Sequence, residues 1–197
     1  MIQRFELLWV LSFLSVLLSI SDALGQVIIG AKSVALGNAT TALYEDTWGL
    51  FSNPATISSD EYKVGFYGLR NYGFPELTDV SSIINVPITV GDAALGFYRF
   101  GDDLYSETNF NVGYKYEFNG IHAGVSLQYR HLSLGGDYGS GGALNLSLGV
   151  LSQLSRSVWL GAKLRNINRA KYNFEFNDEE LPQDMSIGLM YKLEEKA

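Results

Sequence analysis

The side chains that could do chemistry are few and scattered. The chain has two histidines, His122 and His131, and no cysteine. His131 stands two residues before Ser133, and His122 four before Ser126. A serine beside a histidine is the start of an acyl-transfer site, because the imidazole can take the hydroxyl proton. A lipid hydrolase built on His131 and Ser133 is one reading. No Gly-x-Ser-x-Gly turn presents either serine, however, and two neighbouring residue types do not make a triad. A polar wall or rim position is the better reading of both. Without cysteine, disulfides, thiolate catalysis and Cys-held zinc or iron–sulfur centres are excluded.

Other candidates fare no better. Gly135-Gly136-Asp137-Tyr138-Gly139-Ser140-Gly141-Gly142 has the glycines of a phosphate loop but no lysine. No helical pattern follows it, so it reads as a flexible hairpin loop. Asp102-Asp103, Asp137 and Asp178-Glu179-Glu180 could hold a divalent cation weakly through carboxylate oxygens. Their spacing is not that of an EF-hand loop, and solvated loop charges explain them better. The expectation is a protein with no catalytic residue, no metal and no cofactor. A formal net charge of −7 also argues against nucleic acid, whose phosphates need a basic patch.

The elements that carry these residues alternate with period two. Phe110, Val112, Tyr114, Tyr116 and Phe118 fall on one face of a strand, and Asn109, Asn111, Gly113, Lys115 and Glu117 on the other. Ile121, Ala123, Val125, Leu127 and Tyr129 oppose His122, Gly124, Ser126, Gln128 and Arg130 in the next. Between them, Asn119-Gly120 is the signature of a type I′ hairpin. Similar runs give eight candidate strands: 62–69, 80–88, 93–100, 107–118, 121–130, 144–150, 158–165 and 185–193. Long connections (70–79, 101–106, 132–142, 166–182) alternate with short ones (89–92, 119–120, 152–157).

That alternation is the habit of an outer-membrane barrel, with short periplasmic turns on one rim and longer external loops on the other. The expected fold is all-β: an antiparallel up-and-down transmembrane barrel, with its apolar face toward lipid and its polar face toward the lumen. Lys115, Glu117, Gln128, Arg130, Lys163 and Arg165 then face the lumen as a mixed-charge set. In a small barrel they form a salt-bridged interior rather than a pore lining. A soluble sandwich with the apolar face turned inward has the same period, and stays open as the alternative.

Residues 1–25 read as a secretory signal. Arg4 supplies the positive end, Leu7 to Ile20 an apolar run, and Ser21-Asp22-Ala23-Leu24-Gly25 small residues for cleavage. The run is shorter than the roughly 20 residues that a spanning helix needs. The expected location is the outer membrane of a Gram-negative-type bacterium, reached through the periplasm.

Residues 26–60 do not alternate. Ala35, Ala39, Ala42 and Leu43 have near-helical spacing, and Asn53-Pro54 marks a stop, because proline disfavours a helical residue before it. One or two helical turns inside or under a barrel of residues 61–197 are expected. The order Gly30-Ala31-Lys32-Ser33-Val34-Ala35-Leu36-Gly37-Asn38-Ala39-Thr40-Thr41-Ala42, then Glu45-Asp46, then Asn53-Pro54-Ala55, resembles the N-terminal hatch of the FadL-like outer-membrane superfamily. It is most similar to the PorV/PorQ branch associated with type IX secretion.

The resemblance implies a barrel with a plug, in which Gly37, Asn53, Pro54 and Ala55 are hatch positions. It implies transport of hydrophobic compounds through a mostly apolar pocket, or support of protein secretion; a structural barrel that anchors a periplasmic or surface partner stays open as the alternative. The partners would be outer-membrane lipid and hydrophobic small molecules or secreted proteins. Barrels of that family have about fourteen strands, an even number within the bacterial range. With about eight here, a truncated product, a shortened member with its hatch outside the barrel, and a chain that pairs with another all stay open.

Overall fold

In the computed structural model, residues 28–59, 61–136, 139–173 and 178–193 are described. The signal-peptide reading of residues 1–25 and the acidic residue Asp137 lie outside them.

The chain is one antiparallel meander. Its strands are β1 (Lys63–Arg70), β2 (Thr78–Pro87), β3 (Asp92–Gly101), β4 (Tyr105–Phe118), β5 (Ile121–Leu134), β6 (Ser140–Ser155), β7 (Val158–Arg165), β8 (Lys171–Asn173), β9 (Asp178–Glu180) and β10 (Asp184–Tyr191). Eight of them form a single sheet in the order β1-β2-β3-β4-β5-β6-β7-β10, and β8 and β9 form a separate hairpin. The ladder ends at β1 and β10, so closure into a barrel is not part of the pairing among the described residues.

Period-two patterning explains the strands, and turn chemistry explains the tight connections. Asn119 and Gly120 have φ of 50° and 76°, as a type I′ turn requires. The turns at 88–91, 119–120 and 156–157 share one rim. Segments 71–77 and 102–104 share the other, as do the described residues of the connections after β5 and β7 that flank the strand ends. The central strands are longer than their alternation indicates. β5 and β6 stay paired from Ile121–Ser152 to Ser133–Ser140, so much of the glycine-rich stretch read as loop is ladder. Glycine weakens a strand but does not forbid one where a long neighbour already templates it.

The two faces differ in kind. Phe66, Val112 and Ile187 are 82 %, 54 % and 65 % exposed, and every long strand carries a similar apolar row. The opposite, polar face is buried beneath the segment preceding β1. That segment holds α1 (Ala31–Ala35), α2 (Gly49–Ser52) and a 3-10 turn, Pro54–Thr56. Gly37 and Asn38 close α1 with positive φ. The Asn38 amide donates to the Ser33 carbonyl and the Gly37 amide to Val34, a Schellman ending. The core therefore consists of small clusters between hatch and sheet. Leu50 and Ile57 meet Ile83 and Ala94, while Ala42 and Ala55 meet Leu151 and Trp159. A third cluster, of Leu132 and Ala143 with Tyr172 and Leu181, brings these two residues from the connection after β7 over the same face.

Candidate functional site

The segment before β1, expected as a hatch, lies across the whole sheet because the sheet makes room for it. A glycine on each of seven strands faces the segment: Gly65, Gly96, Gly113, Gly124, Gly149, Gly161 and Gly188. Any Cβ there would lie within about 3.0 Å of a hatch atom. At Gly124 the obstacle is the Pro54 and Ala55 backbone, and at Gly161 it is the Thr41 and Ala42 backbone. Gly124 pairs directly with Gly149, and Gly161 with Gly188. On the remaining strand, β2, Asn85 donates from Nδ2 to the Thr47 carbonyl at 3.0 Å. Strand glycines of this kind mark close approach of another backbone. The segment before β1 thus packs against the polar face of the sheet.

Asn53-Pro54-Ala55 is the centre of the contact. Asn53 is fully buried and extended (φ −140°), as the following proline demands. Its Nδ2 donates to the Thr41 carbonyl at 2.6 Å and approaches the Val150 and Ala162 carbonyls at 3.4 Å. Its Oδ1 accepts from the Ala55 amide at 3.1 Å. One amide side chain therefore caps the 3-10 turn and ties two parts of the hatch to β6 and β7. Gly37, by contrast, is exposed and touches no wall.

Lys115 is the electrostatic anchor. It is 1 % exposed and reaches from β4 into the hatch. Its ammonium lies 3.3 Å from Glu45 Oε1 and 3.3 Å from Asp92 Oδ2. It also donates to the Ile57 carbonyl at 2.5 Å and to Ser59 Oγ. Burial pushes the Glu45 carboxyl up. The Ser59 amide and hydroxyl and the Lys115 charge outweigh that and hold it below the usual carboxylate range. Asp46, next along the chain, is held above its usual range, since burial prevails over the Trp48 amide and the Lys32 charge.

The remaining residues expected to face a lumen divide. Glu117 sits 3.5 Å from His122 Nδ1 at the short-turn end. Gln128, Arg130, Lys163 and Arg165 line a cleft of about 180 Å³ beside the hatch. Gln128 Oε1 accepts from Asn145 at 2.8 Å, Arg130 lies 3.6 Å from Glu107, and Arg165 pairs with Asp184. The set does not pair within itself. The partners lie on the segment before β1 or on neighbouring strands, acids for Lys115, Arg130 and Arg165, His122 for Glu117 and Asn145 for Gln128, which spacing along one strand does not reveal. The lining mixes apolar residues, Leu50, Phe51, Pro54, Leu181 and Pro182, with polar ones from the strands.

His122 packs among Tyr44 and Trp159, with ring centroids 5.7 and 5.6 Å away. His131 and Ser133 share the outer face of β5, and no hydrogen bond joins them among the described residues. Asp102 Oδ1 accepts from the Leu104 and Tyr105 amides, which makes it a turn-forming residue. Comparison with protein-family models, curated proteins and solved structures finds no match to this chain.

Proposed function

We infer that this protein is a non-enzymatic outer-membrane β-barrel component with a seated hatch. It serves passage of hydrophobic compounds or support of protein secretion, as its resemblance to the FadL-like and PorV/PorQ-like hatch implies. One observation carries this reading. The polar face of the sheet is the covered one, while the apolar face is left open from β1 to β10. A water-soluble sheet buries the opposite side. Contiguous exposed apolar surface on this scale marks a lipid or protein contact, and alternation of lipid-facing with interior residues is the rule for membrane barrels.

The cleft between hatch and wall is where a passing molecule would be held. Leu50, Phe51 and Pro54 offer it an apolar side, and Arg130, Lys163 and Arg165 a cationic one. Movement of the hatch would widen that cleft, and the Lys115 and Asn53 contacts resist the movement.

Membrane fractionation of the expressed chain tests the first part. Recovery with outer membranes, together with heat-modifiable gel mobility, is expected, and recovery as a soluble protein overturns the reading. Deleting residues 26–60 tests the second part. Increased permeability to apolar probes is expected, and unchanged permeability counts against a gating hatch.

A further inference from the structure

Three cations line the cleft beside the hatch, Arg130 of β5 and Lys163 and Arg165 of β7, and no acid lines it among the described residues. Two acids offset them from outside the lining. Glu107 lies 3.6 Å from Arg130, and Asp184 pairs with Arg165. Lys163 has no salt-bridge partner among the described residues. One positive charge in the lining is therefore unmatched.

The strand between the cations leaves the space. β6 lies between β5 and β7, and its Asn145 and Ser147, which also line the cleft, are short. Asn145 stands opposite Gln128, and Gly149, two residues on from Ser147, stands opposite Lys163. Short side chains on the middle strand, between long cationic ones on its neighbours, give the cleft its volume.

The same place holds donors without acceptors. Nδ2 of Asn111, a residue 4 % exposed, and Nε of Arg130 have no hydrogen-bond partner among the described residues. Both residues line the cleft. Buried polar groups in native proteins are nearly always paired, so the site calls for a group that brings acceptors only. An ionised carboxylate is such a group, and it accepts from guanidinium, ammonium and amide alike.

Two quantities narrow the class. The cleft measures about 180 Å³, below the roughly 300–1,000 Å³ of sites for drug-sized ligands, so it suits a solute of a few carbons and not a long acyl chain. One unmatched positive charge balances one carboxylate, whereas a phosphate monoester carries about −1.5 to −2 at neutral pH.

We propose that the cleft binds a small hydrophilic monocarboxylate, such as a short hydroxy acid, with its carboxylate held by Lys163 and Arg130 and its hydroxyl near Asn145 and Ser147. The proposal rests on the reading above that this cleft is where a passing molecule is held, and goes beyond it in naming a charged, hydrophilic solute.

Ligand-observed NMR titrations of the full chain in a neutral detergent test it, with lactate, its uncharged amide lactamide, inorganic phosphate and decanoate as probes. Saturable binding of lactate is expected, about tenfold or more tighter than lactamide, the difference that a charge-assisted hydrogen bond makes. Neither phosphate nor decanoate should bind more tightly than lactate. Lys163→Gln should weaken lactate by about tenfold or more in protein whose tryptophan fluorescence matches the parent's. No saturable lactate binding, equal binding of lactate and lactamide, tighter binding of phosphate or decanoate, or unchanged affinity in folded Lys163→Gln would overturn the proposal. The probe comparison uses the unsubstituted chain, so it decides even if the variant folds poorly. Fractionation stays separate: a soluble chain that prefers lactate rejects only the membrane reading, and a membrane chain that does not distinguish lactate from lactamide rejects only the anion site.

Discussion

The side-chain carbonyl of Asn53 occupies the space that a Cβ on Gly149 would fill. The hatch and the wall are therefore fitted at the level of single atoms, and the fit depends on what β6 lacks. The hatch is held by three different means: missing side chains on the wall, one buried amide, and one buried ammonium.

Gly124→Ala is expected to unseat the hatch, because the new methyl meets the Pro54 and Ala55 backbone, which has no side-chain freedom with which to yield. Overpacking of this kind costs about 1–3 kcal/mol. Gly68→Ala, whose Cβ would meet only the Asp79 carbonyl at 3.8 Å, is the control. Limited proteolysis of the hatch in detergent-solubilised protein should speed up for the first and stay unchanged for the second. Equal protection would mean that the glycine row is not required for seating.

Replacing Asn53 by Ala removes the donor to Thr41 and the acceptor for Ala55 at a site with no water access. The expected loss is about 1–3 kcal/mol, the cost of leaving buried polar groups unpaired. Asn53→Asp should be worse, because a carboxylate would face the carbonyls of Thr41, Val150 and Ala162. Denaturant unfolding followed by tryptophan fluorescence orders the two, and a more stable Asp variant would contradict this account of the amide.

The two hatch carboxylates predict opposite pH effects. Glu45 is held below its ordinary value of 4.5, so its contribution is present above that pH and is lost as pH falls through the lower folded value. Glu45→Gln should therefore destabilise the protein at pH 7, with the difference shrinking below pH 4.5. Asp46 is held above its ordinary 3.8, and its Oδ2 is buried without a partner. A raised carboxylate contributes below its unfolded value and loses that contribution as pH rises through the folded one. Asp46→Asn should accordingly stabilise the protein at pH 7, and the gain should fade in acid. Thermal midpoints of both variants between pH 3 and pH 7 test the signs.

Lys115→Met should cost about 3–5 kcal/mol, since it leaves Glu45 and Asp92 facing each other without their shared cation. The double variant Lys115→Met/Glu45→Gln should recover part of that loss. A double-mutant cycle on unfolding free energy measures the coupling, and strict additivity would remove Lys115 from its role as anchor.

Val112→Arg addresses the outer face. Val112 lies between Leu95 and Leu127 in the apolar row and is half exposed. A charge facing lipid near the bilayer midplane costs about 2–4 kcal/mol, so folding into lipid vesicles should fall sharply. If the same variant folded as well as the parent and gained solubility, the face would be one that meets water.

The strands were legible in the residues because period two is a local property. Phe110, Val112 and Tyr116 against Asn109, Asn111 and Lys115 already assign both faces of β4. Asn119-Gly120 was legible for the same reason, as was the break at Asn53-Pro54. The ladder through Ser140 to Gly142 was not, because a glycine-rich run reads as loop and only the length of β5 opposite it makes it strand.

What the sequence determined by itself is the pattern of alternation, the turn positions, the polar identity of one face and the short helical turns of the hatch. Tertiary structure alone decided what the polar face is for. Gly124 and Gly161 look like weak points in their strands until Pro54 and Thr41, from a segment far earlier in the chain, lie against them. Lys115 looks like a lumen charge until Glu45 and Asp92 converge on it. Alternation is written between neighbours in the chain, whereas packing and ion pairing depend on distances through space that no local period encodes.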